Sequence, residues 1–137
     1  MGKEKLSKFK VITLERTGCL GFCPVYEIKI TCDGLVHYLG RAFVEKIGEY
    51  NWNIDNDSLK ALNKAIMYYE YFFIEKRTPV FYMTCNSYCI TSVLLKDGTY
   101  RKIKHYLGDD SYPKKLFRFE DKINKIVKIE QYISKSF

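Results

Sequence analysis

Val25-Tyr-Glu-Ile-Lys-Ile-Thr31-Cys-Asp33-Gly34-Leu35-Val-His37-Tyr-Leu39 decides the fold. Val25, Glu27, Lys29 and Thr31 fall on one side of an extended chain, and Tyr26, Ile28 and Ile30 on the other. That is the period of a strand with one buried face. Asp33-Gly34 is a hairpin turn, because glycine accepts the positive φ that tight turns require. Leu35 to Leu39 then returns as the partner strand. The pattern extends outward from this hairpin. Phe9 to Glu15 reads as a preceding strand. A further strand falls within Phe43 to Trp52. Tyr88 to Lys96, Asp97-Gly98 and Thr99 to Leu107 repeat the strand–turn–strand pattern.

Two segments carry helical period instead. Asp55-Asn-Asp-Ser58 offers side-chain acceptors for the first-turn amides of a helix. Leu59, Leu62, Ile66 and Tyr69 follow on one face, and this helix is expected to end near Phe72 or Phe73. Pro113 suits the first turn of a last helix, with Ser111 as its cap and Leu116, Phe119, Ile123, Ile126 and Val127 as its apolar stripe. Four strands, a helix, two strands and a helix predict an α+β fold: an antiparallel sheet of five to six strands with two helices packed on one face.

Composition fits a chain with a real core. Of 137 residues, 47% are hydrophobic and 16% aromatic, including twelve Tyr and nine Phe. Residues 1–8 are expected to be a flexible tail and residues 9–137 a single domain. No apolar run is long enough to span a bilayer, and Met1 to Lys10 has charge but no apolar core of a secretory leader. The expectation is a cytoplasmic protein with no membrane association.

The net charge of +7 sits at the chain ends, with four Lys against one Glu in residues 1–10 and eleven basic against six acidic residues in 96–137. Lys114, Arg118, Lys122 and Lys125 form one stripe on the last helix. A polyanion surface is one reading, and a solvated helix face is the simpler one. Nucleic-acid or nucleotide binding by this helix is therefore an alternative that is not favoured.

The segment richest in chemistry is Arg16-Thr-Gly-Cys19-Leu-Gly21-Phe-Cys23-Pro24-Val-Tyr26. With Asp33-Gly34 and Gly40 beyond it, this segment resembles domain-of-unknown-function family 6438, whose members carry Cys-x-Gly-x-Cys-Pro-x-Tyr after a strand ending in Arg. The resemblance runs more weakly through Phe72-Phe73, Thr91-Ser92-Val93, Asp97-Gly98 and Pro113. It departs at Thr84-Cys85-Asn86-Ser87, where an Asp and a Pro are expected. It implies a fold and no activity.

Five cysteines stand at 19, 23, 32, 85 and 89. Cys19/Cys23 and Cys85/Cys89 share a three-residue gap, so a four-thiolate zinc site is conceivable, although structural zinc favours two-residue gaps. A Cys19–Cys23 disulfide fits a turn, but a cytosolic setting would keep the thiols reduced. The plain structural reading gives Gly21 a tight turn, lets Pro24 fix the entry to the next strand, and packs the thiols inward. Cys32 and Cys89 read as small apolar strand residues, and His37 and His105 as half-buried strand residues. No metal or cofactor is expected.

These observations favour a non-enzymatic binding domain whose site comprises Arg16, Cys19, Gly21, Cys23 and Tyr26, for a small anionic ligand or a protein partner. A thiol enzyme, or a redox or metal protein using Cys19 and Cys23, is the alternative. Whether any catalysis occurs is left open. In a purely structural reading, Arg16 pairs with Glu15 or Glu27 and Tyr26 lies in the core.

Overall fold

Strands that alternate apolar and polar residues hide one face only, and the computed structural model shows how that face is covered. It describes residues 7–19, 21–77, 87–107 and 111–134. The strands are β1 (Phe9–Arg16), β2 (Val25–Thr31), β3 (Leu35–Ala42), β4 (Gly48–Asn53), β5 (Tyr88–Leu95) and β6 (Tyr100–Tyr106). They form one sheet in the order β4-β3-β2-β1-β5-β6, and every neighbouring pair is antiparallel. The helices are α1 (Asn56–Tyr68), α2 (Lys114–Val127) and the short α3 (Glu130–Ile133). The predicted α+β architecture is thus the observed one, with six strands and one short helix beyond the two expected.

The register stacks apolar residues in rows across the sheet. Val36, Ile30, Ile12 and Val93 form one row, and Tyr38, Ile28, Leu14, Thr91 and Ile103 the next. All are buried, together with Leu62, Ala65 and Ile66 of α1 and Leu116, Phe119, Ile123 and Val127 of α2. The opposite face carries Glu27, Lys29, Lys102 and Lys104. There Glu27 pairs with Arg41, and His37 contacts Asn51 and Glu49.

Both glycine turns hold, with φ of 95° at Gly34 and 94° at Gly98. Cys32 lies in the first turn, exposed, and not on a strand as expected. Asp55 caps α1 by accepting the Ser58 amide at 2.9 Å. The helix stops at Tyr68, short of Phe72, because Glu70 turns to φ 54° and Tyr71–Phe73 continue as a 3₁₀ turn. The cap position of α2 is Pro113, not Ser111, and no side chain caps it. Of the expected tail, residues 1–6 lie outside the described residues, while Lys8 is already tied to the sheet, its carbonyl accepting the Lys96 amide at 2.9 Å. Pro79, Thr84, Cys85 and Asn86 also lie outside the described residues.

At the far side of the sheet, an aromatic cluster fills the space that α3 closes. Trp52 stacks on Tyr132 with ring centroids 4.3 Å apart and donates its indole N–H to the Val127 carbonyl at 3.1 Å. The Tyr38 hydroxyl donates to the Lys46 carbonyl at 2.8 Å. Gly40 makes this packing compatible with a sheet, because a Cβ there would run into the Lys46 carbonyl and the Tyr38 hydroxyl.

Gly40→Ala should therefore cost about 1–3 kcal/mol of stability through overpacking. At Gly21 a Cβ would meet, among the described residues, only the Cys19 sulfur, at 4.0 Å, so Gly21→Ala should change stability by less than about 0.5 kcal/mol. Urea unfolding midpoints of the two variants check the contrast.

Candidate functional site

The third row of the sheet's covered face is polar where the other two are apolar. Cross-strand pairing sets Gly48 beside Gly40, Gly40 beside Tyr26, Tyr26 beside Arg16, Arg16 beside Cys89 and Cys89 beside His105. Paired residues share a face, so Tyr26, Arg16, Cys89 and His105 all point toward the helices. From α2, Glu120 and Asn124 descend onto them, four residues apart and therefore one above the other on a single helix face. Tyr26, Cys89, His105 and Glu120 are each no more than 2% exposed.

Each member has identifiable partners. His105 Nδ1 donates to the Tyr106 carbonyl at 3.0 Å, since a carbonyl can only accept. His105 Nε2 lies 2.6 Å from Glu120 Oε2. Asn124 Nδ2 donates to the Tyr26 hydroxyl at 3.3 Å. The Arg16 guanidinium lies against the Cys89 sulfur and in the field of Tyr26 and Glu120. Among the described residues, two buried polar atoms have no hydrogen-bond partner, Arg16 Nε and Asn124 Oδ1.

Electrostatics follow from this packing. Burial works to discharge Arg16, but Cys89, Tyr26 and Glu120 together outweigh it and hold its pKa above the ordinary value. Burial raises the Tyr26 phenol, with Arg16 partly opposing. Burial, and then Glu120, push the Cys89 thiol well up, against the pull of Arg16. Cys89 is accordingly a neutral thiol at physiological pH, without the thiolate character that a nucleophile needs.

The predicted site residues divide into two groups. Arg16 and Tyr26 meet in the polar row, with Tyr26 in the core. Arg16 does not pair with Glu15 or Glu27, because strand alternation puts Glu15 on the other face, where Glu27 binds Arg41. Cys19 and Cys23 do not pack inward as reduced thiols. They are half-buried and joined as a disulfide, with Cα atoms 5.7 Å apart, a separation that bridges readily. The Gly21 amide donates to Cys19 Sγ at 3.3 Å. The loop is anchored to β5 by the Thr17 amide, which donates to the Tyr88 carbonyl at 3.1 Å, and by the Thr17 hydroxyl, which accepts the Tyr88 amide at 2.9 Å.

Sequence reasoning missed Glu120 and Asn124, and it placed His105 as half-buried when it is fully buried. The signal at Glu120 was available, since it stands four residues after Leu116 and inside the apolar stripe. The four-thiolate zinc arrangement loses Cys19 and Cys23 to their disulfide, while Cys85 lies outside the described residues. Cys89 keeps company with His105 and Glu120 instead. Lys114, Arg118, Lys122 and Lys125 are exposed on α2, as their spacing predicts.

Removing the carboxylate in Glu120→Ala should destabilise the protein by about 3–5 kcal/mol, because Arg16 and His105 then lose their buried counter-charge. Replacing both Cys19 and Cys23 with Ser should cost only about 2 kcal/mol, since so short a loop carries little closure entropy. Chemical unfolding of both variants, compared with the wild type, checks this order.

Among the described residues, no helix is long and apolar enough to cross a membrane. Compared with curated proteins, the chain matches none. A family model, Domain of unknown function (DUF6438), matches residues 10–127, which take in every strand from Lys10 onward, the Cys19–Cys23 loop, the polar row and α2 to its last residue. The chain belongs to the DUF6438 family.

Proposed function

We propose that this chain is a small binding domain that captures an anionic ligand at Arg16 in the polar row, beside the Cys19–Cys23 loop. The observation that carries this reading is the orphaned Arg16 Nε, a buried donor on a guanidinium that keeps its charge. A buried unsatisfied donor costs about 1–3 kcal/mol, which a carboxylate or phosphate oxygen would recover. Planar guanidinium suits both groups. Asn124 Oδ1 is a matching orphaned acceptor, so the ligand that fits best carries a hydroxyl or amide next to its anionic group. Asn124 also lines a concavity of about 470 Å³ with Lys125, Lys128, Glu130 and Gln131, and two of these side chains bring positive charge.

In this reading Arg16 binds the anion and Tyr26 supports Asn124. Cys19, Gly21 and Cys23 form the loop beside the site. The row supplies recognition and no nucleophile, because Cys89 is neutral and buried. A protein partner at the same loop is the second reading. It is favoured by Phe22, 85% exposed and edge-on to Phe43 at 5.3 Å.

The test is thermal stabilisation by inorganic phosphate, citrate and small hydroxy acids, read for the wild type and for Arg16→Gln. A ligand that binds only the folded chain raises the melting temperature as its concentration passes Kd. At least one anion should do so for the wild type, and Arg16→Gln should lose the shift while still unfolding cooperatively. No shift with any of these anions, or an undiminished shift in Arg16→Gln, overturns the proposal.

A further inference from the structure

The β5–β6 end of the polar row brings together three different donors that the anion site does not use. Cys89 Sγ on β5, a ring nitrogen of His105 on β6 and a carboxylate oxygen of Glu120 on α2 all lie within 4.8 Å of one another, and all three residues are buried. We propose that Cys89, His105 and Glu120 bind a divalent transition ion, zinc above all, with a fourth position left to solvent or another ligand.

The donor set fits the ion. Zinc is borderline soft and takes sulfur, nitrogen and carboxylate oxygen together, with three protein ligands where one position stays open. Tetrahedral bonds of about 2.0–2.3 Å place ligand atoms roughly 3.2–3.8 Å apart. The three atoms need shift by only about an ångström to reach that geometry. Magnesium and calcium, which want oxygen, do not fit a thiolate and an imidazole.

The surroundings prepare the ligands. The Tyr106 carbonyl holds the proton on His105 Nδ1, so Nε2 is the nitrogen turned toward Glu120 and the centre. Such an outer hydrogen bond is the common way a metal-binding imidazole is oriented. Arg16 lies against the Cys89 sulfur, where it would steady a thiolate.

Charge balances as well. Without an ion, one proton lies between His105 Nε2 and Glu120 Oε2, and the Cys89 thiol holds another. A divalent ion displaces both, so the formal charge of this buried cluster does not change on binding. Two protons leave, one ion enters, and nothing is oxidised or reduced.

The experiment uses the full chain with the Cys19–Cys23 disulfide intact and with Cys32→Ser and Cys85→Ser, so that Cys89 is the sole free thiol. After treatment with a chelator, the protein is titrated with Co²⁺ and then with Zn²⁺. One equivalent of Co²⁺ should bind with a thiolate-to-cobalt band in the near ultraviolet and strong visible bands of four-coordinate cobalt. Zn²⁺ should bleach them, and about two protons should be released per ion. Glu120→Gln preserves shape and hydrogen bonding and should weaken binding by about tenfold or more.

Absence of the sulfur band, or the same cobalt spectrum after Cys89→Ala, overturns the proposal. The titration of the parent protein decides the question even if these variants fail to fold. The site stands apart from the anion reading. Anion stabilisation that depends on Arg16 with no cobalt spectrum sinks only the metal, and the converse result sinks only the anion.

Discussion

The pairing of β1 with β5 joins segments about eighty positions apart in the chain, as the hydrogen-bonded hydroxyls of Thr13 and Ser92 mark. Every other strand neighbour is a neighbour in sequence. This seam therefore unites a four-stranded meander with the β5–β6 hairpin. Closing a loop of that length costs entropy that grows only slowly with its size, and burial on the covered face offsets it. The seam also creates the site, because it alone sets Arg16, at the end of β1, against Cys89 near the start of β5.

A row containing Arg16, His105 and Glu120 beneath a helix is an unusual use of a covered face, since buried charges rarely stabilise a fold on balance. The row persists because its members compensate one another. Glu120 opposes both Arg16 and His105, and the Tyr106 carbonyl takes the remaining imidazole proton. Yet Arg16 Nε and Asn124 Oδ1 stay unmatched, although each could have been replaced by an apolar group of similar size. Folded proteins leave few such atoms, and each calls for a cause such as strain, a catalytic role or an ordered water or ion.

Much of this was legible in the chain itself. Alternation in Val25 to Thr31 and the Asp-Gly turns are local signals, and they suffice for strands, hairpins and the α+β class. The site depends on register, which local signals leave open. In the β5–β6 hairpin Leu94 pairs with Tyr100, which sets Cys89 opposite His105. A slip of one residue would have opposed Cys89 to Tyr106 and sent the partner side chain to the solvent face. Glu120 was marked by its place inside the apolar stripe, but its partners depend on register in the same way. That it meets Arg16 and His105 follows only once the strands beneath it are aligned. The disulfide was missed on a different ground. The spacing of Cys19 and Cys23 allowed it, and an assumption about compartment set it aside.

The two halves of the polar row are closed by different means, and the difference bears on which half is available to a ligand. On the β3–β4 side the row is glycine, at Gly40 and Gly48, and the chain itself fills the space. The Lys46 carbonyl settles over Gly40, held by the Tyr38 hydroxyl, while the Lys46 amide donates to the Tyr132 carbonyl at 2.9 Å. On the β1–β5–β6 side, among the described residues, α2 lays Glu120 and Asn124 over the row, and the rings of Tyr112 and Phe117 pack edge-on against His105. That helix begins at Pro113 with no side-chain cap. Its hold over this half rests on its apolar stripe and on those two polar side chains. One half of the row is filled by backbone, and the other by polar side chains reaching down from a helix.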